Sequence, residues 1–125
     1  ELFNLEWAER NLRGNEKAED VQATLLQLTV ATIAQSLQAH CSAVSEMYVC
    51  GGGAHNGLLM SRLAESLPGK KVALTDQLGI AADWVEAFAF AWLGQQALAR
   101  KPGNLPAVTG AMGERILGAI YPGKF

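Results

Sequence analysis

Residues 49–57 read Val-Cys-Gly-Gly-Gly-Ala-His-Asn-Gly, three glycines closing a short apolar run with two polar side chains just behind them. Glycine loses more backbone entropy on folding than any other residue, so three together imply a strained turn, a close approach or a ligand that touches backbone. Two readings stand side by side. In one, Gly51, Gly52 and Gly53 form a tight strand-to-helix turn that lets the helix pack closely. In the other, their bare N–H groups face a phosphate or nucleotide, aided by the partial positive charge of a helix N-terminus. Strand–turn–helix is the context such a loop needs, although the pattern is neither G-x-G-x-x-G nor a Walker loop. Asn56 and His55 could each cap the helix, Asn56 better by residue preference. Asn56 could instead hydrogen-bond a ribose or a base, while His55 reads more simply as a solvated or capping group than as a catalyst. His40 reads as a helix C-terminal residue whose charge suits the dipole.

The second group is acidic. Glu86 stands inside Trp-Val-Glu-Ala-Phe-Ala-Phe-Ala-Trp-Leu, with apolar neighbours on every face of a helix. A carboxylate buried there must find a partner, shift its pKa or face a cleft, because burying an unpaired charge is costly. Asp83-x-x-Glu86 also fits a capping box, with Asp83 as N-cap and Glu86 reaching back to its amide. Asp76 follows a strand, where open α/β sheets bind ligands, and turn formation explains it equally simply.

These residues need elements to hold them. Residues 1–16 read as loop or short helix, ending at Arg13-Gly14-Asn15. From about Lys17 to His40 two stripes run at helical spacing, Val21, Leu25 and Leu28 beside Leu26, Val30, Ile33 and Leu37. Two stripes predict a helix buried over much of its circumference, with Glu16, Glu19 and Asp20 suiting its start. Glu-Met-Tyr-Val-Cys reads as a buried strand, and residues 55–67 as an amphipathic helix stopped by Pro68-Gly69. Lys-Lys-Val-Ala-Leu-Thr reads as a second strand, Asp76 to Ala82 as a connection, and residues 83–100 as a long apolar helix. Trp84, Phe90 and Trp92 on it read as core in preference to a subunit interface, which leaves a homodimer open. The tail carries at most one short strand, around Arg-Ile-Leu-Gly-Ala-Ile-Tyr. Strand–helix–strand predicts a right-handed crossover and a parallel pair, hence an α/β class whose thin sheet would continue in further sequence.

With 125 residues the chain has the length of one domain and a single core. It is 50% hydrophobic and 18% charged, which excludes disorder. Ten basic and 12 acidic residues are interspersed, and without a basic stripe nucleic acid is not expected as a partner. No apolar run has transmembrane length and the N-terminus is not signal-like, so no membrane role is expected. Cys41, at a helix end, and Cys50, in the buried strand, have no metal spacing and read as reduced structural thiols of a cytoplasmic protein. The opening Glu-Leu-Phe-Asn-Leu-Glu-Trp lacks an initiator methionine and reads as cut from something longer.

Together, "YVCGGGAHNGLLM", "DQLGIAADWVEAFAFAWL", "LPAVTGA" and "LGAIYPG" resemble the C-terminal part of the 1,6-anhydro-N-acetylmuramate kinases. "FNLEW" and "ATLLQLTVATIA" extend the resemblance over essentially the whole chain. It implies a ribonuclease-H-like lobe of the acetate and sugar kinase, chaperone and actin superfamily, its strands flanked by long helices. It also implies an enzyme of peptidoglycan recycling that uses ATP, Mg²⁺ and water to open the anhydro ring and phosphorylate the 6-oxygen. Gly51, Gly52, Gly53 and Asn56 would line the nucleotide and Glu86 would hydrogen-bond the sugar. The family's Gly-Thr-Ser-x-Asp-Gly phosphate loop and its aspartate base are absent, so no catalytic residue is expected here. The resemblance thus implies a C-terminal fragment lacking its N-terminal lobe and inactive alone. A kinase of the same superfamily acting on another sugar or small acid, and a non-catalytic nucleotide-binding module, are the alternatives.

Overall fold

The computed structural model describes residues 4–123, so Phe3 of the opening motif lies outside the described residues. The chain forms two units instead of the single core expected. The first comprises the described residues through Tyr48 together with Asn56–Ala73; the second comprises Val49–His55 together with the described residues from Leu74 on.

In the first unit, helix α1 (Leu5–Arg10) begins where Asn4 Oδ1 accepts the Trp7 amide at 2.9 Å and is supported by an Arg10–Glu6 ion pair. The link to α2 is closed by Glu16, whose carboxylate accepts the amides of Arg13 (2.8 Å) and Gly14 (2.9 Å). These bonds, the Arg13 amide foremost, favour the charged form and lower the Glu16 pKa. Helix α2 (Ala18–His40) carries Glu19 and Asp20 in its first turn and His40 at its end, each favourable with the dipole.

Only Val30 and Ala34 of α2 are buried, however. The stripe through Val30 packs inward, whereas the stripe of Val21, Leu25 and Leu28 lines a groove of about 430 Å³ with Trp7 and Leu12. Two stripes therefore meant two partners of unequal closeness, not burial around the circumference.

Strand β1 (Glu46–Val49), helix α3 (Gly57–Ser66) and strand β2 (Lys71–Leu74) follow in the expected order. The Lys71 amide donates to Ser45 O at 2.8 Å, setting the two strand starts side by side in a two-stranded parallel sheet. Lys70 Nζ donates to Ser42 O at 2.8 Å and to Val44 O, fastening the α2–β1 connection. The core of this unit is Val30 and Ala34 of α2, Leu63 of α3, Leu67 at the end of α3, and Ala73 of β2. β1 is half-buried rather than buried, and Cys50, just beyond it, is exposed, as is Cys41 at the end of α2. Both thiols are free, with Cys41 at a helix end as expected, while the expected burial of Cys50 in the strand is not met.

The second unit is built from short turns, helix α4 (Val85–Leu98) and the tail. Ala54 and Ala82 are its buried apolar residues among those described. α4 has no buried residue: Phe88, Phe90 and Trp92, with Trp84 at its N-cap, are 57%, 65%, 50% and 62% exposed, so the expected aromatic core is absent among the described residues. The tail holds no strand among the described residues. A short helix α5 (Pro106–Thr109) stands there instead, started by proline at its first position and stopped by Gly110 at φ +70°. Asn104 organises the rest, its Oδ1 accepting the Arg115 amide at 2.6 Å and its Nδ2 donating to Gly113 O at 3.1 Å. No helix among the described residues is long and apolar enough to cross a membrane.

Candidate functional site

The glycine turn belongs to the second unit. Gly51 has φ +76°, a left-handed conformation that a side chain disfavours, and a Cβ built there or on Gly52 meets nothing within 4 Å. Close packing against a helix is therefore not what requires Gly51 and Gly52; backbone conformation at Gly51 and an open face at Gly52 are what the turn displays. Nor does the turn run straight into a helix. Gly52–His55 form one 3₁₀ turn, closed by Ala54 N donating to Gly51 O at 2.9 Å, before Asn56 starts α3. As the first two residues of that turn, exposed Gly52 and Gly53 have N–H groups with no partner among the described residues. Two adjacent, exposed donors are what an anionic or polar ligand would need from backbone.

The structure adds a clamp that sequence reasoning missed. His55 Nε2–H donates to Asp83 Oδ1, the atoms 2.7 Å apart. The Gly51 amide donates to Ala82 O at 2.9 Å, and the Ala82 amide donates to Asp76 Oδ2 at 3.1 Å. The glycine turn is thereby joined at two points to the 3₁₀ turn Ala82–Trp84, from which α4 continues, while Asp76 holds that turn from the end of β2. Asp76 is thus a turn-forming residue, the simpler of its two readings. The imidazole pKa of His55 is raised, first by its hydrogen bond to Asp83, then by the Asp83 charge and, after a smaller opposing effect of burial, by the charge of Asp76. His55 remains a mostly solvated side chain, 62% exposed, as its setting beside a glycine turn suggested.

The capping box does not form. Trp84, not Asp83, is the N-cap of α4, and no side chain caps that helix, because the Asp83 carboxylate is engaged by His55. Glu86 lies in the first turn of α4, exposed, its carboxylate without a hydrogen bond or ion pair among the described residues. The buried acid expected from its apolar neighbours is an accessible one. The same surroundings that suggested burial are themselves exposed.

Asn56, in the first unit, caps α3: its Oδ1 accepts the amides of Leu58 and Leu59, each at 3.1 Å. That oxygen is therefore committed, leaving the side-chain NH₂ for any further partner. Of the residues singled out for a site, the structure brings Gly51, Gly52 and Gly53 together with His55, Asp76 and Asp83. It places Glu86 in the first turn of the helix they anchor. The His55–Asp83 pair carries no sequence signal, since the two residues are 28 positions apart. Among the described residues no three His, Cys, Asp or Glu side chains gather as a metal site would require.

The comparisons with known proteins are concordant. The family model for anhydro-N-acetylmuramic acid kinase matches residues 1–123. Anhydro-N-acetylmuramic acid kinase of Nitrosomonas europaea is 62% identical over 122 residues, covering 98% of this chain and 34% of the relative. The enzymes of that name from Nitrosospira multiformis and Pseudomonas savastanoi pv. phaseolicola are 58% and 54% identical, again over 98% of this chain and 33% and 34% of theirs. The chain thus spans about a third of the length of these curated relatives. The expected family is met, whereas the expected C-terminal placement is not carried by these matches. On this evidence the chain belongs to the anhydro-N-acetylmuramic acid kinase family.

Proposed function

We propose that this chain is part of an ATP-dependent kinase that opens the ring of 1,6-anhydro-N-acetylmuramic acid with water and phosphorylates its 6-oxygen, a cytoplasmic step of peptidoglycan recycling. The observation that carries the proposal is the family match over nearly the whole chain. The paired unpartnered N–H groups of Gly52 and Gly53 support it locally. In this reading the chain contributes to a ribonuclease-H-like lobe, and the phosphate loop and aspartate base belong to the two-thirds of such a protein that it does not span.

Gly51, Gly52 and Gly53 then line the nucleotide, with the Gly52 and Gly53 N–H groups donating to it and the Asn56 NH₂ as a further donor. The open face of the turn fits a group that must approach backbone. Glu86, exposed and unpaired, is free to accept hydrogen bonds from sugar hydroxyls. ATP supplies the phosphoryl group when bound. Mg²⁺ is part of the reading, but the described residues do not fit a metal site of their own, so its ligands lie elsewhere. Phosphoryl transfer depends on phosphates, metal and nucleophile positioned together, so the chain alone is expected to be inactive.

The test is ADP release by the intact protein with 1,6-anhydro-N-acetylmuramate, against ordinary N-acetyl sugars. Turnover confined to the anhydro sugar is expected. Turnover only with other sugars would keep a kinase and discard this substrate, and none with any would favour a nucleotide-binding module. In the same assay Gly52→Val should raise the KM for ATP by roughly tenfold or more, since a bidentate backbone contact would be blocked. A Cβ at this position meets nothing within 4 Å, and the melting temperature of the variant shows whether folding contributes. An unchanged KM would refute the nucleotide role of the turn.

A further inference from the structure

A loop that offers backbone donors to a ligand is useful only if it is held in one conformation beforehand, because ordering it on binding costs affinity. The glycine turn has little of its own to hold it. Gly52 and Gly53 have no side chains, both are exposed, and Gly51 sits in a conformation that favours glycine. Its restraint comes from the neighbouring turn through the Gly51 N–H to Ala82 O bond at one end and the His55–Asp83 contact at the other. These two points bracket the free donors.

We propose that His55 and Asp83 form a positioning pair that fixes the glycine turn and thereby sets its affinity for the nucleotide. This rests on the nucleotide reading above but assigns roles to residues outside it: neither His55 nor Asp83 is asked to touch ligand. The groups that face the imidazole are Asp83 from the turn before α4 and Asp76 from the turn after β2, and no other residue of its own turn is ionisable. Both neighbours are acidic, so the clamp is strongest when His55 is charged. The direction in pH follows. With its folded pKa raised above 6.5, His55 is fully protonated and paired below that value, and the ionic part of the clamp is lost as pH rises through the raised folded pKa. The pair is exposed and screened by solvent, so its effect is modest, and salt should weaken it further.

The experiment compares intact wild-type protein with Asp83→Asn and His55→Gln. Deuterium uptake of the peptide covering residues 50–56 and the KM for ATP are both read from pH 6 to pH 8.5. Taking each variant as a ratio to wild type at the same pH removes the intrinsic pH dependence of exchange and the titration of ATP itself. At low pH and low salt both variants should exchange the turn faster and raise the KM for ATP roughly two- to fivefold, with a smaller effect on kcat. The ratios should fall toward one as pH rises and the wild-type imidazole loses its charge, leaving only the neutral hydrogen bond. Ratios that are flat across pH, or a turn equally protected in all three proteins, would overturn the positioning role. Faster exchange with the same pH dependence but an unchanged KM for ATP would uphold the clamp and count instead against the nucleotide reading of the turn.

Discussion

A side-chain oxygen that accepts the first amides of a helix relieves donors that would otherwise have no partner, and Asn56 does this twice over for α3. Asn56→Ala should therefore cost about 1 kcal/mol in a denaturation experiment. Glu86→Gln should cost only about 0.3 kcal/mol there, the loss of a favourable charge in the first turn of α4, because Glu86 caps no helix and pairs with nothing among the described residues, while the KM for the anhydro sugar rises. If Glu86→Gln instead lowers stability as much as Asn56→Ala, its role is structural and the sugar contact is wrong. The Asn56 cap was legible from residue type alone, since Asn before an apolar helical run has a strong local preference. The role of Asp83 was not. Its local pattern was right for a cap, but a histidine far along the chain competed for the same carboxylate, and only tertiary structure decides such a competition.

Elements here draw stability from very few side chains. α3 turns Leu63 inward to a site that is 1% exposed, and Leu67 behind it is 2% exposed. Removing that packing in Leu63→Ala should cost about 2–5 kcal/mol, measured by chemical denaturation, against well under 1 kcal/mol for exposed Leu58→Ala on the same helix. Equal losses would mean that the two faces of α3 are misassigned. The order of helices and strands through Leu74 was readable because period and punctuation agreed: acidic first turns, the Pro68-Gly69 stop and short β-branched runs. α5 escaped because four residues carry no period, although Leu-Pro before Ala-Val-Thr-Gly is a start and a stop in miniature. The tail strand failed for the opposite reason, an apolar run whose backbone instead is organised by Asn104.

At the scale of the molecule, α4 departs furthest from expectation. Its sequence is apolar on every side, which ordinarily marks a buried helix, yet its aromatic side chains are exposed. Hydrophobic period reveals that a face is suited to cover; it holds no information about what provides the cover. The isolated 125-residue chain carrying Trp7→Phe, which removes the half-buried third tryptophan, should accordingly show red-shifted emission that acrylamide quenches readily, since Trp84 and Trp92 are at least half exposed. Blue-shifted, quencher-protected emission would mean that α4 is covered in solution. Family membership was legible for a related reason: the motifs that carry it are contiguous stretches, preserved whether or not their surroundings are present.

Gly51 carries a last consequence, one of handedness. A φ of +76° is the mirror image of an ordinary right-handed helical setting, so a D-amino acid is at ease where its L counterpart is strained. D-alanine at residue 51 would then restrict the unfolded chain while keeping the backbone conformation that the turn requires. Cys50 stands immediately before it, the residue that native chemical ligation leaves at a junction, so a synthetic segment beginning there could deliver that inverted centre.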